Sequence, residues 1–235
     1  MNLIKVSFYN GISVIIKMLT MLGLNKVLAI YVGPGGYAII GQYQSFVQTL
    51  ATFSAGSIAN GITKYTAQNV SEEKELIDVW KTAGTVSIVS SLFVSIIILI
   101  FFKDINVIFF NDKIDNNLSY WLATSFVFMM LNSYLMAILN GMKAIKAYVL
   151  LNISSSILVL VVTGLFAFSM GLKGALIALT INQSLNFIIT FSYFIKQKWF
   201  KVRFLAGNLN KSVVKGLSRF AFMALFSSLA VPLTP

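Results

Sequence analysis

Residues 27–63 read VLAIYVGPGGYAIIGQYQSFVQTLATFSAGSIANGIT, a run without a single charge. A membrane helix needs about 20 apolar residues to cross a hydrocarbon core of roughly 30 Å, so this run is too long for one crossing. It is interrupted at Gly33, Pro34, Gly35 and Gly36, where proline removes a backbone donor and glycine permits a tight turn. The spacing therefore predicts two helices meeting at this turn. The first covers about Phe8 to Tyr31 and the second about Tyr37 to Thr63, the latter long enough that it must tilt, kink or extend past the membrane.

Moving outward, four more apolar stretches repeat the pattern: about Thr82 to Phe102, Leu118 to Asn140, Tyr148 to Met170 and Gly174 to Ile195. A seventh begins near Leu217 and meets Pro232 and Pro235 before the ~20 residues of a crossing are complete. The expected fold is all-α: a polytopic membrane protein with six complete transmembrane helices and the start of a seventh. Residues 1–196 would form the six-helix bundle, 197–216 a basic cytoplasmic loop, and 217–235 the opening of a truncated seventh span. The first apolar run differs from a signal peptide in its length, in Lys17 and in lacking a small-residue cleavage site before Tyr31, so it is read as a mature helix.

Composition agrees. Of 235 residues 57% are hydrophobic and 11% charged, with a mean hydropathy of +0.84, whereas a soluble domain carries about 25% charged residues. With no His and no Cys, the chain lacks the side chains for disulfides, a catalytic thiol or the usual zinc and haem sites, so no cofactor and no enzymatic role is expected. The net charge of +11 is loop charge, and nucleic acid is not an expected partner.

The loop charge also sets orientation, because short loops rich in Lys and Arg resist translocation. With a cytoplasmic N-terminus, that side holds thirteen basic residues, Lys5, Lys64, Lys74, Lys81, Lys143, Lys146 and the seven from Lys196 to Arg219, against Lys103, Lys113 and Lys173 opposite. All seven acids, Glu72, Glu73, Glu75, Asp78, Asp104, Asp112 and Asp115, fall in two expected loops. The loop from Ser71 to Lys81 reads as a solvated amphipathic connector, and the cations from Lys196 to Arg219 as attracted to anionic lipid.

Two lysines lie inside the first span, and an ion at the centre of a membrane helix costs about 2.5–3.5 kcal/mol on insertion scales. Lys17 is near the middle and shares a helical stripe with Asn10, Ser13 and Thr20. That face is expected to line water. Lys26 projects roughly opposite and can snorkel outward. On the second span Gly41, Ser45, Gln48, Thr52, Gly56 and Thr63 share a face, with Gln42 and Asn60 beside it; Gly56 and Gly61 read as helix-packing positions. Asn132, Ser133, Asn140, Asn152, Ser154 to Ser156, Asn182, Gln183, Asn186 and Thr190 give the later spans polar sides, which together could enclose a wet, cationic chamber.

Lys5, Ser7, Lys17 and Lys26, then Tyr31-Val-Gly-Pro-Gly-Gly, then Asn60-Gly-Ile-Thr-Lys-Tyr-Thr-Ala-Gln68 together resemble the Wzx family of O-antigen and enterobacterial-common-antigen flippases, within the multidrug/oligosaccharidyl-lipid/polysaccharide (MOP) exporter superfamily. The resemblance runs through Lys211 to Leu225 and is sharpest over the first 68 residues. It implies a transporter of about twelve spans, built as two six-helix bundles in a MATE-like arrangement, of which this chain would supply the N-terminal one. The implied activity is translocation of an undecaprenyl-pyrophosphate-linked oligosaccharide from the cytoplasmic to the periplasmic leaflet of the bacterial inner membrane, in lipopolysaccharide O-antigen biosynthesis. Membrane lipids, an O-antigen polymerase and a chain-length regulator are the implied partners. On that reading Lys17, Lys26 and Lys64 are candidate counter-charges for the pyrophosphate, with Gln48, Thr52 and Asn60 for sugar hydroxyls. Two alternatives stand beside it. A cation-coupled multidrug antiporter of the same superfamily would need carboxylates inside the bundle, and a membrane-embedded polymerase or glycosyltransferase would need an acid, His or Arg site in a large aqueous loop.

Overall fold

A computed structural model describes the backbone of residues 3–54 and 58–230. Among these the elements are helices α1 (Leu3–Phe53), α2 (Ala59–Gln68), α3 (Glu73–Phe110), α4 (Leu118–Gly141), α5 (Ile145–Ile195) and α6 (Lys211–Ala230), with a 3₁₀ turn at Val202–Phe204. Four helical stretches are long and apolar enough to cross a membrane: Ser7–Phe53, Glu73–Phe110, Leu118–Gly141 and Ile145–Ile195.

Two of the four are double. α1 is broken at Gly33 (φ 74°, ψ 173°) and α5 at Gly171 (φ 58°, ψ −135°), backbone conformations that only glycine adopts without strain. Pro34 reinforces the first break, since the residue before a proline is pushed out of the helical region. The chain turns back at both. The Asn182 Nδ2 donates to Thr163 Oγ1 at 2.9 Å, although nineteen residues of continuous helix would separate them by about 28 Å. In the same way Lys17 and Gln44 line one cavity, where a continuous helix would hold them about 40 Å apart.

The two hairpins lie side by side. Gly23 faces Leu160, Val27 faces Gly164, and the Tyr31 and Phe168 rings meet edge to face at 5.3 Å. On the returning arms Tyr43 and Thr180, 137 positions apart, share a buried hydroxyl hydrogen bond. Matching arms therefore run in the same direction and in register, which places the Gly33 and Gly171 turns at one end of the molecule.

α3 and α4 form a third hairpin with its loop at that same end. Asn111 (φ 50°) and Asp112 (φ 57°) turn the chain in the left-handed conformation that Asn and Asp tolerate. Fully buried Asn106 holds the loop. Its Nδ2 lies within hydrogen-bond reach of the Ile114 carbonyl (2.6 Å), Asp112 Oδ1 and Asn116 Oδ1 (both 3.1 Å), and its Oδ1 accepts from the Ile114 N–H. Lys173, two residues past the α5 turn, makes a 2.8 Å ion pair with Asp115.

Three features differ from the sequence reading. The second span was expected to continue from Tyr37 to Thr63, but the helix ends at Phe53 and a separate helix, α2, begins at Ala59. Thr63 thus leaves the stripe of Gln48 and Thr52 and donates instead to the Ala137 carbonyl at 3.2 Å. Gly56 and the side chain of Lys5 lie outside the described residues, as do Pro232 and Pro235. Secondly, α3 extends over both flanking segments, so the expected connector at Ser71 to Lys81 and Lys103 to Phe110 are largely helical; at 38 residues it is longer than a bilayer crossing requires.

Thirdly, α6 begins at Lys211, inside the basic stretch expected as a loop, and the segment between Ile195 and α6 packs on the bundle as a strap. Phe204 is buried beside Trp80, Phe200 is buried against Phe194 and Phe204, and ring centroids of Trp80 to Trp199 are 5.6 Å and of Trp80 to Phe204 6.1 Å apart. Thr85 Oγ1 meets the Gly207 carbonyl (3.1 Å) and N–H (3.0 Å), and Thr82 Oγ1 accepts from the Asn210 N–H (3.1 Å). The cations Lys196, Lys198, Lys201 and Arg203 stay exposed. Buried aromatic area anchors the segment while its charges remain in water.

Candidate functional site

A cavity of about 500 Å³ opens between both arms of α1, α4 and both arms of α5, and Lys17 stands in its wall. The helical stripe that carries Lys17 also brings Thr20, whose hydroxyl is taken up by the Ile16 and Lys17 carbonyls at 2.9 Å. Around them are Gln44, Asn132, Ser133, Asn152, Ser155, Ser156, Gln183 and Asn186. One cation stands among these amides and hydroxyls, beside the apolar Met21, Leu24, Met136, Val159, Leu160 and Leu179 and with no Asp or Glu in the lining, an arrangement that favours an anion over a cation.

The polar groups are not all used by the fold. Asn132 Oδ1 and Asn186 Oδ1 are buried without a hydrogen-bond partner, and each such atom costs about 1–3 kcal/mol of desolvation. One turn to either side of Asn186 on the same helix, Asn182 Oδ1 and Thr190 Oγ1 are unpaired as well. Asn132 and Asn186 line the chamber, where water or a ligand rich in hydroxyls would meet them; Asn182 and Thr190 lie behind the wall. A smaller cavity of about 190 Å³ adjoins it, sharing Gln44, Leu179 and Gln183 and adding Gln48, Ser125 and Thr180. The two form one groove along the α1, α4 and α5 faces.

The six residues singled out from the sequence are dispersed. Lys17 is in the main cavity and Gln48 in the adjoining one. Lys26 is exposed and lines neither. Lys64 is on α2 with its ammonium 5.4 Å from the Phe220 ring of α6, a cation–π geometry. Asn60 is exposed on α2, and Thr52 Oγ1 donates to the Gln48 carbonyl at 3.0 Å. Of the wider polar set, Asn132, Ser133, Asn152, Ser155, Ser156, Gln183 and Asn186 converge on Lys17. Gln44 and Tyr148 also line the cavity and were missed. Gln44 carried a legible signal, since it sits one helical turn from Gln48; Tyr148 carried none beyond its place at a span boundary.

Comparison with known proteins gives a consistent result. The family described as polysaccharide biosynthesis protein matches residues 3–234. The chain is 23% identical over 237 aligned residues to the lipid III flippase of Escherichia coli (strain K12), covering 99% of this chain and 56% of that one, so it spans about half the length of the curated relatives it matches. Among solved structures, a MOP superfamily transporter from Pyrococcus furiosus, described as having a binding pocket of reverse polarity, superposes with a TM-score of 0.77 at 16% identity, over 97% of this chain and 53% of that one. The bent form of the Vibrio cholerae MATE transporter VcmN superposes with a TM-score of 0.75 at 14% identity, over 97% and 54%.

Proposed function

The chain belongs to the polysaccharide biosynthesis protein family, and from that premise we propose that it serves to flip a lipid-linked oligosaccharide across a membrane, with the Lys17 cavity receiving the anionic head. The observation that carries this reading is the lining itself: a lysine, amides and hydroxyls, some buried without partners, and no carboxylate.

The barrier to flipping is desolvation of the polar head. Lys17 offers a point charge to the pyrophosphate, while Gln44, Asn132, Asn152 and Asn186 replace water at sugar hydroxyls. The lipid tail stays in the bilayer. Rocking of two bundles about such a site would expose it alternately to each side, and the 53–56% coverage of the relatives is consistent with this chain contributing one bundle.

Each arm of α1 and α5 is long enough to cross the membrane on its own, so we read the two broken helices as four crossings, six in all with α3 and α4. Residues 1–196 then form the bundle, 197–216 its basic flank and 217–235 the start of a seventh span. The thirteen basic residues on one side favour a cytoplasmic N-terminus in a bacterial inner membrane, with an undecaprenyl-pyrophosphate-linked O-antigen repeat as the substrate. The MATE structures share the fold of the multidrug-antiporter alternative, but the cavity lining here lacks the acid such coupling would use. The test is surface-polysaccharide display in a strain whose own flippase is deleted, complemented with the gene carrying Lys17→Ala or Lys17→Glu. Display is expected to fall sharply at normal protein levels; full display in both variants overturns the assignment.

A further inference from the structure

A second cavity, of about 440 Å³, lies at the end of the molecule that carries the three hairpin turns, where α4 meets the returning arm of α5. Its walls are apolar: Ile114, Leu118, Trp121, Leu172, Leu176 and Ile177. Its rim is charged, with Lys113, Lys173 and Asp115. The rim is built on fixed backbone. Asn106 pins the loop that presents Lys113 and Asp115, and the Gly171 turn presents Lys173.

The geometry points to a binding site for a bilayer phospholipid, with a single phosphodiester held at Lys113 and Lys173 and an acyl chain laid along Trp121, Leu118 and Leu176. Three observations favour that occupant. The site is at the ends of helices long and apolar enough to cross a membrane, which in a bilayer would bring it near the headgroups, where an amphipathic Trp prefers to sit. Apolar walls under a charged rim match a molecule with a charged head and a hydrocarbon tail, and free phosphate would leave those walls unused. Two lysines beside one aspartate leave one net positive charge, which a headgroup of net charge −1 neutralises, whereas a zwitterionic headgroup brings its own cation and a pyrophosphate brings more charge than the rim balances. The volume is in the range of about 300–1,000 Å³ typical of small-molecule sites, enough for the headgroup and part of one acyl chain while the rest of the lipid stays in the bilayer. On binding, the phosphate would compete with Asp115 for Lys173, now 2.8 Å away. The site is separate from the Lys17 cavity and does not depend on its assignment.

The test is native mass spectrometry of the purified chain, titrated with phosphatidylglycerol, phosphatidylcholine, inorganic phosphate or a polyprenyl pyrophosphate. Wild type is expected to retain phosphatidylglycerol in preference to phosphatidylcholine and to show no phosphate adduct. The double variant Lys113→Gln with Lys173→Gln, at exposed positions that leave folding intact, is expected to lose about tenfold in phosphatidylglycerol binding, as is Leu176→Trp, which fills the cavity. Phosphatidylglycerol binding unchanged in both variants overturns the proposal. So does lysine-dependent binding of inorganic phosphate or of polyprenyl pyrophosphate in place of phosphatidylglycerol.

Discussion

The Tyr134 hydroxyl, buried on α4, reaches two carbonyls, that of Trp80 at 3.0 Å and that of Phe204 at 3.3 Å, the second seventy residues further along the chain. It ties α3, α4 and the strap after α5 together at one point. Tyr134→Phe keeps the ring and removes both hydrogen bonds, at a cost of about 0.5–1.5 kcal/mol each. The expected outcome is a lower apparent Tm in detergent and faster trypsin cleavage at Lys201 and Arg203. A variant as resistant as wild type would show that the strap is held without the Tyr134 hydroxyl.

The glycine turns make a graded prediction. Gly33→Ala and Gly171→Ala meet no close atoms but force a side chain into positive φ, costing about 1–2 kcal/mol each. Gly84→Ala is more severe, since a Cβ there would lie 2.0 Å from the backbone oxygen of Leu205, and the strap must move to admit it. Apparent Tm values are expected to rank wild type first, the two turn variants next and Gly84→Ala last.

The Lys173 ammonium beside Asp115 holds its carboxyl below the ordinary value of 3.8, with a further contribution from the Asn117 N–H. A carboxyl lowered on folding stabilises above its unfolded value, and that contribution is lost as pH falls below 3.8 and through the lowered folded value. The pair is exposed, so the effect is small and screened by salt. Acid titrations of apparent Tm at low salt should show a step in wild type that Asp115→Asn lacks.

Asn186 separates a functional from a structural role. Its Oδ1 has no protein partner, so an apolar side chain of similar shape breaks no hydrogen bond of that atom and spares its desolvation. Asn186→Leu is therefore expected to keep or raise the apparent Tm while reducing flipping. A stable variant with full polysaccharide display would remove Asn186 from the site.

Much of the fold was legible because its signals are local. The run from Val27 to Thr63 announced the Gly33 turn, and the apolar lengths placed α4 and both arms of α5 to within a few residues. The end of the second span was not legible: Ser54 to Ile58 is as uncharged as the helix before it, and the docking of Thr63 and Thr66 beside Gly141 that accompanies the new helix is a tertiary contact. The strap was half-legible, since Trp199, Phe200 and Phe204 among the cations marked a buried edge. For the site, the helical stripe of Lys17 and Thr20 could be computed from one helix, but which helices surround it could not. That is why Gln44 and Tyr148 joined the cavity unforeseen, while Lys64 went to Phe220, a partner supplied by the docking of α6.

The most direct check of the central claim is equilibrium binding of a polyprenyl-pyrophosphate-linked oligosaccharide to the chain in nanodiscs, for wild type, Lys17→Arg and Lys17→Glu. A charged hydrogen bond contributes about 1.5–3 kcal/mol, so Lys17→Glu should weaken binding by about 10- to 100-fold while Lys17→Arg stays near wild type. Equal affinity in all three would contradict the account.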